Sequence, residues 1–384
     1  MRHRIGDWIA GVGALCVGVL LLAGCRGEET VPRPEDENVG KPEETELRGF
    51  YVLNEGNMGS NKATLDFYDF STATYTRNIY GAANPDVPKE LGDVGNDLQV
   101  YADKLWAVIN CSNKIEVMDQ TTARRIAKID IPNCRSIAFS GRYAYVTSYA
   151  GPVEINPDYS QLGYVARIDV ETLQVIDRCI VGYQPDGLAV SDGRIYVANS
   201  GGYRVPNYEK TLSVINESTF KVVETVEIGI NLDNVVADRQ GNIWVSSRGD
   251  YYGTEATLYC YSPSEKKTVW SAPMQASSLW LDGDTLYCIG AGWSYIAEDY
   301  KMTFAKIDTK TRDIVSDNFI TDGTESDIRL PYGLAVNPDN GDIYIGDAGN
   351  YVNPGWLYCY DKTGKKLWRV RTGDIPAHYA LIRN

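Results

Sequence analysis

The sequence predicts an all-β chain that folds as a seven-bladed β-propeller. One plan recurs along it: a short apolar strand, a tight polar turn and an alternating strand, as in QPDGLAVSDGRIYVANS (184–200) and LPYGLAVNPDNGDIYIGDAGN (330–350). A second hairpin follows each copy, so each repeat supplies four strands, named a to d in chain order. The equivalent positions in strand a are Leu98, Ile137, Leu188, Val235, Leu279 and Leu334. Their separations of 39, 51, 47, 44 and 55 residues are typical of propeller blades with loops of different length.

The two chain ends supply the remaining blade. Residues 50–79 read as strands b, c and d without a strand a, and the C-terminal IPAHYALIRN (375–384) reads as a strand a with nothing after it. We therefore expect the C-terminal strand to pair with the N-terminal blade. This pairing closes the ring and removes the open sheet edges that promote aggregation. The propeller is predicted to be one domain over residues 49–384.

The first 24 residues are predicted to be a lipoprotein signal peptide. Basic residues precede an apolar stretch that is too short for a comfortable membrane span, and the stretch ends in Leu22-Ala23-Gly24-Cys25. These four residues resemble the bacterial lipobox, which implies that Cys25 becomes the first mature residue and carries lipid. The alternative is an ordinary secretory signal that happens to end in Cys. A lipid on Cys25 anchors a protein without a spanning helix.

A solvated tether is expected between the lipidated cysteine and the propeller, over residues 25–48. This stretch is acidic and Pro-rich and has almost no large apolar residues, so it cannot bury a core. The pair Glu28-Glu29 resembles the acidic signals that send Bacteroidetes lipoproteins to the outer face of the outer membrane. We therefore expect a lipid-anchored protein exposed at the cell surface.

Composition excludes several classes of function. A formal net charge of -14 argues against a nucleic-acid surface, which needs clustered Lys and Arg. No CxxC pair or Cys/His cluster indicates zinc or an iron–sulfur centre, and no cofactor or metal is expected. A disulfide between Cys111 and Cys134 stays open. The excess of 27 Tyr over 7 Phe is more typical of binding surfaces than of cores.

Strand order assigns every loop to one of two faces. The a–b and c–d turns share one face, which we call the turn face, and they are short. The b–c loops and d–a crossovers share the opposite face, the loop face, and six of its seven b–c loops are long and rich in aromatic residues. Length and aromatic residues concentrated on one face indicate a binding face. The innermost loop-face positions, which we expect to ring the channel mouth, are Asn96/Asp97, Cys134/Arg135, Pro185/Asp186, Asp233/Asn234, Ser277, Tyr332 and His378.

The pattern favours a binding protein over an enzyme. His378 is the single histidine after the signal peptide, and no Gly-x-Ser-x-Gly elbow is present, so a Ser/His/Asp triad is a poor match. A metal-dependent hydrolase of the lactonase type is the enzyme alternative, with Asp97, Asp186, Asp233 and Asn234 around a divalent cation. Capture of a glycan or peptide by the loop face is a further alternative.

A resemblance to a known family makes the prediction of the ligand more specific. The lipobox, the acidic tether, the IYVANSG-like strands and FYVLNEGNMGSNKATLDFYD (50–69) resemble the YncE-like propeller lipoproteins of gut Bacteroidetes, and within them the BtuG-type cobalamin-binding proteins. The resemblance implies a surface lipoprotein that binds cobalamin or a related corrinoid. It also implies that the ligand passes to a BtuB-type TonB-dependent transporter in the outer membrane. Cobalamin is then a transported ligand and not a cofactor.

The ligand contacts are predicted from the face alone. Tyr and Trp rings suit the corrin disc, amides and hydroxyls suit its carboxamide fringe, and Arg suits its phosphate. His378 is expected to hydrogen-bond at the channel mouth, with axial ligation of cobalt as the alternative. The predicted ligand-binding residues are Asn54, Asn110, Arg135, Tyr149, Asn199, Tyr203, Arg204, Tyr208, Arg248, Tyr251, Tyr252, Trp293, Tyr295, Tyr332, Tyr351 and His378.

Overall fold

A computed structural model describes residues 34–43, 45–87, 90–294 and 299–384. The predicted signal peptide, Cys25 and Tyr295 lie outside the described residues. Within them, the chain forms seven antiparallel sheets, and strand a is the innermost strand of each four-stranded repeat. The all-β seven-bladed propeller is thus confirmed.

The blades are numbered from the one that contains both chain ends. Blade 1 consists of β1 (Glu35–Asn38), β2 (Leu47–Asn54), β3 (Thr64–Asp69), β4 (Thr74–Arg77) and the last strand, β29 (Pro376–Arg383). Blade 2 consists of β5 (Gly95–Tyr101), β6 (Lys104–Ile109), β7 (Lys114–Asp119) and β8 (Arg125–Asp130). Blade 3 consists of β9 (Cys134–Ser140), β10 (Tyr143–Ser148), β11 (Tyr164–Asp169) and β12 (Gln174–Ile180). Blade 4 consists of β13 (Pro185–Ser191), β14 (Arg194–Asn199), β15 (Thr211–Asn216) and β16 (Lys221–Glu227).

The remaining blades follow the same order. Blade 5 consists of β17 (Leu232–Ala237), β18 (Ile243–Ser247), β19 (Thr257–Ser262) and β20 (Lys267–Pro273). Blade 6 consists of β21 (Ser278–Asp282), β22 (Thr285–Ser294), β23 (Asp299–Asp308) and β24 (Ile314–Ser316). Blade 7 consists of β25 (Pro331–Val336), β26 (Ile343–Asp347), β27 (Pro354–Tyr360) and β28 (Lys366–Asp374). A short α-helix, α1 (Ile79–Ala83), and a 3₁₀ turn (Thr324–Asp327) lie in two crossovers. Neither described helix has the length and apolar character that a membrane span requires.

The hydrophobic core lies between neighbouring blades. Strands b and c are buried on both faces, because each blade is covered by the next, and they read as nearly continuous apolar runs such as KLWAVI in β6. Trp106 of blade 2, for example, shares one cluster with Ile137 and Ala144 of blade 3. Strand d is largely exposed, as the pattern of β16 shows. Packing between blades therefore fixes the channel walls.

Ring closure follows the prediction. β29 pairs with β2 in antiparallel register, with Leu53 opposite His378 and Tyr51 opposite Ala380. This pairing carries His378 to the innermost strand of blade 1, at the channel. The last strand is consequently part of both the fold and the candidate site.

Two segments differ from the expectation. Four residues of the predicted tether form β1, which adds to the outer edge of β4, and Val39 and Leu47 are buried. The tether prediction missed this because edge pairing uses backbone groups and needs few apolar side chains. In blade 6, where a loop was expected over residues 291–302, residues 291–294 extend β22 and residues 299–302 extend β23, and Trp293 pairs with Tyr300. Cys111 and Cys134 are both free thiols, so they do not form the disulfide that the sequence left open.

Candidate functional site

A cavity of about 390 Å³ opens at the loop-face end of the channel. Its wall is built from the first residues of the a strands and from the segments that follow the b strands. The strand-a positions that line it are Asn96, Arg135, Asp186, Asp233, Asn234, Ser277, Tyr332 and His378. These eight are among the positions predicted to ring the channel mouth, whereas the predicted Asp97, Cys134 and Pro185 do not line the cavity. Arg248, Tyr251, Trp293 and Tyr351 complete the predicted residues found there.

A chain of ion pairs crosses one side of the cavity. Asp186 accepts from Arg135 Nε at 3.0 Å and from Arg248 Nη1 at 2.9 Å, and Arg248 Nη2 reaches Asp233 at 2.7 Å. The hydroxyl of Tyr149 donates to Asp186 at 3.0 Å, and the Arg135 guanidinium lies 4.9 Å from the Tyr149 ring centroid. Two positive and two negative groups from blades 3, 4 and 5 therefore compensate one another.

The charge states follow from burial and from these partners. Burial raises the pKa of Asp186, but the two guanidinium groups outweigh it and hold that pKa below its usual range. Burial raises the pKa of Asp233, which has Arg248 as its ion-pair partner. Burial and the nearby Arg135 charge lower the pKa of His378 to about 4, so this imidazole is neutral at pH 7. His378 is consequently a neutral imidazole in the cavity wall.

Glu55 is the charged residue among the described cavity lining that the sequence did not predict. Burial raises its pKa to about 7, against the opposing effects of a hydrogen bond from Tyr332 and of the Arg135 and Arg248 charges. Its Oε2 is buried and has no hydrogen-bond partner among the described residues. Its position in the repeat could have revealed it, because Glu55 directly follows strand b of blade 1, as Arg248 does in blade 5 and Tyr149 in blade 3.

Aromatic side chains form the rim above the cavity. Tyr251 is 49 % exposed, Tyr252 is 71 % exposed and Trp293 is 40 % exposed, all on the loop face. The Trp293 and Tyr300 rings meet edge to face at 5.2 Å, and the Tyr332 and Tyr351 rings do so at 5.9 Å. Flat apolar surface at the rim and polar groups inside the cavity suit a ligand with both characters.

The loop over residues 200–210 packs on its neighbour and not into the cavity. Arg204 donates to the Tyr159 carbonyl at 3.0 Å and stacks its guanidinium 3.8 Å from the Tyr183 ring centroid. Tyr203 meets the buried Tyr149 ring edge to face. Of the predicted ligand residues here, Tyr203 and Arg204 join the loops of blades 3 and 4, and Tyr208 lies near the Tyr251 and Tyr252 side chains.

Three predicted asparagines lie inside the blades. Asn54 donates to Asp66 at 2.7 Å, Asn110 donates to the Cys134 carbonyl at 2.8 Å, and Asn199 donates to Ser213 at 2.9 Å. All three are buried at the last position of strand b or directly after it. Their amides satisfy polar groups where the chain leaves the sheet, which is why the sequence shows polar residues there.

The geometry disfavours a cation among the predicted carboxylates. Asp97 turns away from the cavity and accepts the backbone N–H groups of Leu98 and Ile137, at 2.8 and 2.9 Å. Asp186 already accepts from two arginines, whose charges repel a metal ion. Among the described residues, no group of three or more His, Cys, Asp or Glu has a metal-binding arrangement. The cavity is therefore suited to hydrogen bonding and ion pairing.

Comparison with known proteins establishes family and fold. Residues 48–379 match the family described as "Domain of unknown function (DUF5074)". No curated protein sequence is significantly similar to the chain. Hydrazine synthase of Kuenenia stuttgartiensis is similar in structure, with 14% identity over 76% of this chain and 95% of that chain and a TM-score of 0.58. A quinonprotein alcohol dehydrogenase-like protein of Bacteroides thetaiotaomicron has 15% identity over 89% of this chain and 79% of that chain, with a TM-score of 0.57. At these identities the likeness shows the fold alone.

Proposed function

The chain belongs to the DUF5074 family, and we propose that it captures cobalamin or a related corrinoid at the loop face. The observation that carries this proposal is the combination of a polar cavity at the channel mouth with an aromatic rim on the same face. The ligand then passes to a TonB-dependent transporter of the outer membrane. The resemblance to BtuG-type lipoproteins supplies the ligand and transporter classes.

The size of the cavity sets how such a ligand sits. A volume of about 390 Å³ lies at the lower end of the range for small-molecule pockets, so it holds one part of a corrinoid and not the whole. The corrin disc then rests on the rim, where Tyr251, Tyr252 and Trp293 offer flat surface. Carboxamides at the edge of the disc reach the amides, hydroxyls and guanidinium groups below.

Capture is favoured over hydrolysis by the state of the polar groups. A hydrolase needs an activated nucleophile or a metal-bound water. Asp186 is committed to two arginines, and Asp97 is committed to backbone amides. Groups fixed in this way hold a binding site in shape before the ligand arrives, which lowers the entropic cost of association.

Titration with cyanocobalamin tests the proposal directly. We expect heat release in calorimetry and a change in the visible spectrum at micromolar concentrations. Replacing Tyr251 and Tyr252 together with Ala should weaken binding at least tenfold. Leu367→Ala is the control, because Leu367 is 51 % exposed on the outer strand of blade 7. Absence of heat and of a spectral change would reject corrinoid capture, and a ligand array would then test glycans and peptides.

The proposed location has its own test. We propose that Cys25 is lipidated and anchors the protein at the cell surface, as the lipobox-like LAGC sequence suggests. Cys25→Ala should move the protein from the membrane fraction to the soluble fraction and abolish labelling by a radioactive fatty acid. Unchanged membrane association and labelling would reject the anchor.

A further inference from the structure

Glu55 stands apart from the other charged groups of the cavity. Arg135, Asp186, Arg248 and Asp233 form a continuous set of ion pairs with equal numbers of positive and negative charges. Glu55 lines the same cavity and has no ion pair of its own among the described residues. Its buried Oε2 accepts no hydrogen bond from any of them. A buried acceptor without a partner costs free energy, so it needs an explanation.

The backbone of Glu55 already has a structural role, but the side chain does not share it. The Glu55 N–H donates to the Ile375 carbonyl at 2.8 Å, and the Glu55 carbonyl accepts from the Gly95 N–H at 2.8 Å. The bond with Gly95 joins blade 1 to blade 2, the bond with Ile375 lies beside the closing strand β29, and both form whatever side chain is present. Within the described part of the chain, the one hydrogen-bonding neighbour of the carboxyl group is Tyr332, which itself lines the cavity.

The surroundings restrict what can meet this carboxyl group. An anionic group would face Glu55 and Asp233 while both arginines are already paired. A cationic group would face the Arg135 and Arg248 guanidinium groups in the same cavity. The other polar lining residues near them, Asn234, Gln275 and Ser277, are uncharged. An uncharged group that carries both donors and an acceptor satisfies all of these neighbours.

We infer that the cavity binds a primary carboxamide of its ligand, with Glu55 accepting a hydrogen bond from the amide nitrogen and Arg248 donating to the amide oxygen. The Arg248 side chain is 31% exposed, so it has donor capacity on the cavity side beyond its two ion pairs. Either oxygen of Glu55 can serve, because the terminal torsion of a Glu side chain has a broad two-fold preference. The inference rests on the proposed function in so far as the cavity is the ligand site.

The chemistry also predicts a change with pH. Burial raises the pKa of Glu55 to about 7. Above that pH the carboxylate accepts from an amide and repels a carboxylate. Below it the protonated group donates, so a carboxylate ligand is tolerated better. Selectivity for the amide over the acid should therefore increase between pH 6 and pH 8.

Three small probes of nearly equal size test the inference. Propionamide, propionate and propylammonium are titrated into the purified protein at pH 6 and pH 8, with saturation-transfer NMR as the readout. At pH 8, propionamide should bind at least tenfold more tightly than either charged probe. Glu55→Ala should weaken propionamide at least tenfold, and Glu55→Gln should remove the pH dependence of the selectivity. Glu171→Ala, on an exposed turn of the opposite face, should change neither.

The outcomes separate this inference from corrinoid capture. Tighter binding of propionate or propylammonium at pH 8, or full retention of propionamide binding by Glu55→Ala, would overturn the carboxamide assignment. Cyanocobalamin binding without competition from propionamide would overturn it too, while corrinoid capture stands. Specific propionamide binding without any cyanocobalamin binding would support the carboxamide assignment and reject the corrinoid. Folding of each variant is checked by circular dichroism, and Glu55→Gln provides a near-isosteric second variant.

Discussion

The two ends of the channel are built from the same seven inner strands but differ in chemistry. At the loop face the strands begin with charged and polar residues, and the cavity contains Glu55, two arginines and two aspartates. At the turn face a second cavity of about 450 Å³ is lined by Val100, Val236, Trp280, Leu281 and Leu381, among others, and Asp97 is the charged side chain among its described lining residues. His378 and Asn234 line both cavities and so mark the boundary between them.

The difference distinguishes the residues that the fold requires for packing from the residues that serve another role. Apolar residues at the turn face continue the packing between blades, and they stabilise the ring by burial. The buried ion pairs at the loop face cost desolvation, and an apolar replacement of the same shape is often as stable. Charged groups concentrated at one end therefore indicate a function beyond ring closure. Variants at each end can test this division.

The largest effect is expected at Asp186. Asp186→Ala should lower the free energy of unfolding by about 3–5 kcal/mol, because it leaves the partly buried Arg135 and Arg248 guanidinium groups without their shared, buried counter-ion. Urea unfolding measures the loss. Asp177→Ala is the control, since Asp177 is half exposed and pairs with Arg167 on an outer strand, and it should change stability by less than about 1 kcal/mol. Equal losses in the two variants would contradict the importance of the ion-pair chain.

Much of this comparison was predictable from the sequence, and the repeat explains why. Six equivalent strand-a positions and two complementary chain ends determine the blade count and the closure, and closure places His378 at the channel. The position of Glu55 after strand b places it on the loop face, but the repeat does not reveal its neighbours, which come from distant parts of the chain: Tyr332 from blade 7 and Arg248 from blade 5. Such contacts across the ring depend on blade tilt and side-chain direction, which cannot be predicted from the spacing of a repeat.

The same limit explains the residues that lie outside the cavity. Asn110 and Asn199 lie at the ends of b strands on the loop face, as a ligand contact would, but their amides turn inward to backbone and side-chain partners. Arg204 lies in a long aromatic loop, but its partners belong to the neighbouring loop. The sequence predicts on which face a residue lies. Only its contacts in the structure show whether it supports the neighbouring loops or is available to a ligand.

The second largest effect is a gain of stability at Glu55. The ordinary pKa of a solvent-exposed Glu is 4.5, whereas burial raises the pKa of Glu55 to about 7 in the folded protein. The folded state keeps a proton that the unfolded state releases, so the stability contributed by this group is full below pH 4.5 and is lost as pH rises to 7. Glu55→Gln should therefore raise the free energy of unfolding at pH 8 by up to about 3 kcal/mol and leave it unchanged at pH 4.

Urea unfolding between pH 4 and pH 8 checks this gain. Glu171→Gln is the matched control, because Glu171 is 70% exposed on the turn face. Parallel pH profiles for Glu55→Gln and the parent protein would show that the carboxyl group of Glu55 is not destabilised by burial.

Two tryptophans compare the ends of the channel directly. Trp280→Ala should cost about 2 kcal/mol, because Trp280 packs against two hydrophobic clusters at the turn face, and it should leave cyanocobalamin affinity unchanged. Trp293→Ala should cost about 1 kcal/mol, the value of its edge-to-face contact with Tyr300, and should weaken cyanocobalamin binding at least fivefold. Unfolding and calorimetry on both variants provide the measurements. Equal losses of affinity in the two variants would contradict the idea that the turn face serves packing and the loop face serves binding.

The smallest effect tests whether the loop face is itself a packed structure. Arg204→Ala should lower the free energy of unfolding by about 1 kcal/mol, through loss of its stacking on Tyr183 and its hydrogen bond to the Tyr159 carbonyl. The N–H of Asn156 donates to the Tyr203 carbonyl at 2.8 Å and joins the two loops, so hydrogen exchange at Asn156 should accelerate. Arg178→Ala, whose guanidinium lies 5.2 Å from the Tyr164 ring centroid, is the control and should not affect exchange at Asn156. Unchanged protection at Asn156 in Arg204→Ala would mean that the backbone alone holds these loops together. Faster exchange would show instead that Arg204 supports the loop face through the neighbouring loop, without itself contacting the cavity.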